Sequence, residues 1–166
     1  MRMKYIKSFL QKYYKKNKLP IEVDKLGDNL TNFIQKNFKN ILVKKYIFKR
    51  FDKSDSPIVG IHAGYILPKH NLYPNSVHDD EKIIGLYYNK NTKLVMYVFI
   101  KRYDFMNNMQ LFLDNIMDKY AVDIFYLPNL KEGNRYWISI DKIDTIINEL
   151  TQENYKLFLS TKKYNL

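Results

Sequence analysis

Not one cysteine occurs in this chain. Disulfides, thiolate zinc sites and thiol catalysis are therefore excluded. A cysteine-free sequence fits a reducing interior, so an intracellular, cytoplasmic location is expected, or an organelle or host cell if the origin is viral. No run approaches the roughly 18 apolar residues that a membrane-spanning helix needs, so no transmembrane segment is expected. The N-terminus lacks the apolar core of a secretory signal, because lysines interrupt it every few residues. A transit peptide is disfavoured as well: the first acidic residue is Glu22, but the segment is Lys-rich, with one Arg and one Ser before Pro20. The few glycines form no P-loop, no G-x-G-x-x-G and no G-x-S-x-G. Gly60, Gly64 and Gly85 are isolated and read as marks of bulges or close packing.

What is present is a core and an uneven charge. A length of 166 residues with 46% apolar content suits one globular domain, 1–166, that folds without staples. Lys, Asn, Ile and Tyr are abundant, as in proteins from AT-rich genomes. The net charge is +11. Residues 1–53 hold 15 Lys and Arg against 4 Asp and Glu, whereas residues 54–166 hold 13 of each. The first third, a basic helical arm, therefore carries the whole excess, and 54–166 form a charge-neutral α+β core. Such asymmetry points to a polyanion, DNA or RNA, whose phosphates Lys and Arg neutralise with release of counterions. The expected contacts are Lys4, Lys7, Lys12, Lys15, Lys16, Lys18, Lys44, Lys45, Lys49 and Arg50. Interleaved aromatics (Tyr5, Phe9, Tyr13, Tyr14, Tyr46, Phe48 and Phe51) could stack on unpaired bases.

Periodicity gives the elements. Ile6, Phe9, Leu10 and Tyr13 make one stripe of a helix over 3–17, with lysines opposite. Pro20 ends it. A second helix runs from about Asp24, as N-cap, to Phe38, with the stripe Leu26, Leu30, Phe33 and Ile34. Strands are expected over 41–51 and 58–66, then a loop from Pro68 to Asp80, then a hairpin of 82–88 and 93–102. Asp104 should cap a helix to about Lys119 that buries Phe105, Met109, Phe112, Leu113 and Ile116. Strands at 121–127 and 134–140 follow. Asp141 should cap a helix bearing Ile143, Ile146, Ile147 and Leu150, and Thr151 should start a last one with Tyr155, Phe158 and Leu159. The fold class is α+β. A helical pair precedes a mostly antiparallel or mixed sheet flanked by helices, in the order α-α-β-β-β-β-α-β-β-α-α.

The hairpin, helix and strand of about 80–140 resemble the core of the PD-(D/E)xK nuclease superfamily. That resemblance implies a divalent metal, Mg²⁺, held by acids beside the scissile phosphate, and a lysine that positions the attacking water or stabilises developing charge. Asp79 or Asp80 stands at the first acid's place and Lys101 at the lysine's, which makes Asp80 and Lys101 the candidate catalytic pair. Phe99 replaces the second acid. A substitute carboxylate could come from Glu81, Asp104 or Asp123, with Asp80 and Asp123 the candidate metal ligands. Gly64-Tyr65-Ile66 resembles the end of the LAGLIDADG homing-endonuclease motif, with Ala63 in place of its acid. His62, His70 and His78 all fall around the long loop, the last two within it, but their spacing departs from an HNH nuclease. Trp137 reads as core or an interface anchor, and Tyr87-Tyr88 as sheet surface.

Three functions therefore stand in order: a nucleic-acid-binding protein on a nuclease-like scaffold; a metal-dependent endonuclease; and a non-enzymatic viral or plasmid accessory protein acting through protein contacts, as a homodimer or with a partner. A basic amphipathic helix over 3–17 also suits a membrane surface.

Overall fold

In the computed structural model, residues 19–39, 41–50, 58–68, 82–100, 104–126 and 133–164 are described, with the backbone alone for 46–50, 58–68, 82, 163 and 164. The expected helix over 3–17, the loop ending at Asp80, and Lys101 lie outside the described residues. The described chain runs α1 (Ile21–Asn37), β1 (Ile41–Arg50), β2 (Ile58–Pro68), β3 (Lys82–Asn89), β4 (Leu94–Phe99), α2 (Asn107–Tyr120), β5 (Asp123–Phe125), β6 (Arg135–Ser139), α3 (Ile143–Glu149) and α4 (Gln152–Tyr164). Short 3₁₀ turns at Asp104–Met106 and Ile140–Lys142 lead into α2 and α3. From the second expected helix onward, this is the order read from the sequence, and the fold is α+β.

The six strands form one sheet in the order β1-β2-β3-β4-β6-β5, with every pair antiparallel. Alternation along each strand sorts its residues by face. Ile84, Leu86 and Tyr88 of β3 stand opposite Phe99, Tyr97 and Val95 of β4, and all six are buried. Tyr136 and Ile138 of β6 continue that apolar surface. The helices lie over it. α1 contributes Val23, Leu26, Leu30, Phe33 and Ile34, and α2 contributes Met109, Phe112, Leu113, Ile116 and Met117. Phe112 gathers three other rings, with centroids 5.6 Å from Phe33, 5.1 Å from Tyr155 and 5.5 Å from Phe158. This aromatic knot ties α1, α2 and α4 together. Pairs at such spacing add about 0.5–1.5 kcal/mol each beyond the area they bury.

Four local expectations are corrected. α1 starts at Ile21, three residues before Asp24, because the Pro20 carbonyl already accepts from the N–H groups of Val23 and Asp24. Asp24 is thus inside the first turn and caps nothing. Asp104 and Asp141 also make no capping hydrogen bond, since each belongs to a 3₁₀ turn and the α-helices begin later, behind Met106 and Lys142. Phe105 is 55% exposed rather than buried. Its 3₁₀ turn advances three residues per turn, which breaks the 3.6 phase that would have put it beneath Met109. Thr151, by contrast, does open α4, accepting the Asn154 N–H on its Oγ1 at 3.1 Å.

Candidate nucleic-acid interface

The described part of the basic segment is α1 and β1, and one side chain joins them. The Gln35 amide donates to the carbonyls of Phe38 (3.1 Å) and Ile41 (2.7 Å), and its Oε1 accepts from the Val43 N–H at 2.8 Å. Both polar ends of Gln35 are thus used to turn the chain from helix into strand. β1 then pairs antiparallel along its whole length with β2, with a register shift between Lys44 and Lys45. Successive strand residues point to opposite faces, so the two lysines take different environments.

Lys44 is exposed, whereas Lys45 is partly buried against α1. The Lys45 ammonium bonds Asp24 and also reaches Asp28 at 2.7 Å. Burial opposes its charge, but the two carboxylates outweigh burial and hold its pKa above that of an ordinary lysine. Asp24 and Asp28, one turn apart on α1, therefore neutralise one of the expected phosphate contacts internally. Lys25, Lys36 and Lys39 of the same segment are exposed together with Lys44. The described stretch 19–45 contains five lysines against Glu22, Asp24 and Asp28, whereas 1–18 contain seven Lys and Arg and no acid. Lys4, Lys7, Lys12, Lys15, Lys16 and Lys18 lie outside the described residues, and Lys49 and Arg50 are placed by backbone alone at the far end of β1.

Asp80 and Lys101 also lie outside the described residues. The position that the nuclease resemblance reserves for a second acid is described: Phe99 is fully buried on the helix-covered face, opposite Ile84. A phenylalanine in the apolar core offers a metal no donor. Among the described residues, no three acidic or imidazole side chains gather as a cation site. Asp123 stands exposed on β5 opposite Trp137, with its Oδ1 accepting from the Ile124 N–H at 2.9 Å. Among the described residues, the donors do not fit the implied Mg²⁺. Asp104 is exposed in its turn, and no described helix is long and apolar enough to cross a membrane.

A second feature was not singled out from the sequence. On the sheet face away from α1 and α2, Tyr87, Asn89, Thr92, Leu94, Asp123 and Trp137 line an open cleft of about 270 Å³. Tyr87 sits opposite Met96 and Met96 opposite Trp137, so one transverse row of the sheet carries both aromatics. Gly85 makes room for Tyr87, whose ring lies where a side chain at 85 would be; an added Cβ would come within 2.5 Å of its Cε2. The β3–β4 turn fixes Asn89: its Oδ1 accepts from the N–H of Asn91 at 2.9 Å and of Thr92 at 3.4 Å. The sequence signal was limited to Tyr87 and Asn89, two residues apart on one strand. Which strands were neighbours was not legible, because β6 passes β5 to pair with β4.

No protein-family model matches the chain, no curated protein matches it, and no solved structure matches the fold.

Proposed function

We propose that the protein binds nucleic acid through the basic face of its first 53 residues. The observation that carries this reading is the charge segregation: the entire +11 belongs to residues 1–53, and the rest of the chain is neutral. A long polyanion responds to such a stretch through counterion release, which needs many cations close together rather than a shaped pocket. Lys25 and Lys36 on α1, Lys39 in the turn after it and Lys44 on β1 are exposed and add four cations to those of the first 18 residues. Lys45 is set aside from the contact set because its charge is already met by Asp24 and Asp28.

The test is affinity for a labelled oligonucleotide, single- or double-stranded, over a series of salt concentrations. Affinity should fall steeply with salt, with a log–log slope of about −0.7 per neutralised phosphate on single strands and about −0.9 on duplex. Reversing Lys12, Lys15, Lys16 and Lys18 to Glu should abolish binding while the circular dichroism spectrum is kept. Unchanged binding in that variant, or an affinity indifferent to salt, would refute the reading. Light scattering with and without the oligonucleotide separates it from a purely protein-directed role.

A further inference from the structure

We propose that the outer flank of α2 and the adjoining edge strand β5 form a docking surface for residues 1–18 of the protein's own chain, and that a polyanion displaces them. The docking goes beyond the nucleic-acid reading. The displacement rests on it.

The surface is apolar around a carboxylate. β5 is the outermost strand on its side of the described sheet. Val122 and Tyr126, on either side of it, are 62% and 61% exposed, and Leu111 of α2 is 46% exposed. One hydrogen bond joins strand to helix: the Tyr126 hydroxyl donates to Asp118 Oδ1 at 3.2 Å. Val122 is held at the same edge, with its N–H on the Trp137 carbonyl at 2.8 Å. Leu111 and Asp118 are seven residues apart, which puts them on one stripe of α2. Half-buried Asp114 stands one turn before Asp118. The whole stretch 104–126 has four aspartates and one lysine, in a chain of net charge +11. That lysine, Lys119, is engaged by Glu149 of α3 at 2.6 Å.

Charge selects the occupant. An acidic surface repels phosphates, so neither nucleic acid nor an anionic membrane suits it. It fits a cationic segment with an apolar stripe, laid down as amphipathic helices are laid into grooves. Residues 1–18 have that composition: seven Lys and Arg, no acid, and Ile6, Phe9, Leu10 and Tyr13 at helical spacing. A second copy would bring a further +11 against this one, whereas the chain's own segment adds no charge. The tether is long enough. Burial and then the charge of Glu22 raise the Tyr88 phenol, so α1 begins near the Tyr88 end of β3. Three strand spacings separate β3 from β5, about 14 Å. Even at the helical rise, residues 1–18 reach about 27 Å. Once docked, lysines that would neutralise phosphates face Asp118 instead. Polyanion and docking surface then compete for one set of cations, and each weakens the other's hold.

The chain has no cysteine, so an introduced pair reports on one contact. The full chain carrying Leu10→Cys and Val122→Cys, held in an oxidised glutathione buffer, should form a disulfide within one molecule. Such a bond needs Cα atoms within about 7 Å, and it shows as faster migration on a non-reducing gel. Leu10→Cys with Thr145→Cys, exposed on α3, should stay reduced. Excess oligonucleotide should suppress the first disulfide. On the binding side, Asp118→Asn keeps an acceptor for Tyr126, and Leu111→Ser changes no charge. Each should tighten oligonucleotide binding by about fivefold, the lower end of typical couplings between sites. Asp144→Asn removes the same charge from α3 and should leave affinity unchanged. Equal cross-linking of both pairs, or cross-links only between molecules, overturns the docking. So does an oligonucleotide affinity that neither Asp118→Asn nor Leu111→Ser alters. If the Val122 pair cross-links but no oligonucleotide binds, the docking stands and the displacement falls with the nucleic-acid reading. If the oligonucleotide binds with a steep salt dependence while the Val122 pair stays reduced without it, the docking falls and the nucleic-acid reading survives.

Discussion

At the scale of single residues, the clearest case of one side chain fixing architecture is Gln35. It makes three hydrogen bonds to backbone groups of Phe38, Ile41 and Val43 at the point where α1 gives way to β1. Replacing it by Ala or Leu leaves the partly buried groups it served without their partner, and each such loss costs about 1 kcal/mol or more. Gln35→Leu should therefore lower the unfolding free energy by about 2–3 kcal/mol in a urea melt, since it removes three hydrogen bonds of that worth. A change under half a kilocalorie would mean that the backbone groups are satisfied without the amide. Nothing in the local pattern singles Gln35 out, because its three partners become neighbours only once helix and strand have turned against each other. Lys93 is similar in kind. Its φ of 55° places a non-glycine residue in the left-handed region, and only the closed β3–β4 turn, with the Lys93 N–H on the Asn89 carbonyl at 2.9 Å, accounts for it.

At the scale of elements, the stripes were readable and the starts were not. Leu26, Leu30, Phe33 and Ile34 on α1, and Met109, Phe112, Leu113 and Ile116 on α2, are all buried as their spacing required. Burial of one helix face is set by the repeat itself. Helix starts depend on which carbonyl first accepts a bond, and this is why Asp24, Asp104 and Asp141 look like caps and are not. Of the candidate site, the charge asymmetry is plain in the residue order, but the fate of an individual lysine is not. Lys44 and Lys45 are chemically identical neighbours, yet one is exposed and the other is held by two acids of α1. The two should therefore part company on substitution. Lys44→Glu should weaken oligonucleotide binding and flatten its salt dependence, with little change in the melt. Lys45→Met should leave the salt slope unaltered but lower stability, because Asp24 and Asp28 are left facing each other without their cation. Partial exposure limits that loss to roughly the 1 kcal/mol scale of surface pairs. If Lys45→Met reduces binding as much as Lys44→Glu does, the ion pairs do not hold Lys45 back from the polyanion.

At the scale of the whole molecule, the core is built around tyrosines as well as aliphatic residues, and this gives the fold an alkaline limit. Tyr97 of β4 is fully buried, and its hydroxyl has no hydrogen-bond partner among the described residues. Its ring lies 6.1 Å from that of Tyr136. Burial, reinforced by the charge of Asp114, pushes the Tyr97 phenol well above its usual range, and burial raises Tyr136 to about 12. Both groups are neutral at physiological pH, and both have folded pKa values above the unfolded value of about 10. A group raised on folding contributes stability that is fully present below its unfolded pKa and is lost as pH climbs through the folded one. Stability should thus be insensitive to these tyrosines up to about pH 10 and fall between there and about 12, the value reached by Tyr136. Tyr97→Phe separates the two parts of the effect. It removes an unsatisfied buried hydroxyl, which costs about 1–3 kcal/mol to bury, so the variant should be more stable than the parent at neutral pH. It also removes one of the two deprotonations that drive alkaline unfolding, so its advantage should widen above pH 10. Urea melts of parent and variant at neutral and alkaline pH, with tyrosinate absorbance followed alongside, measure both. A variant less stable than the parent at neutral pH would mean that the Tyr97 hydroxyl is hydrogen-bonded in solution. The two-tyrosine account of the alkaline limit would then reduce to Tyr136 alone.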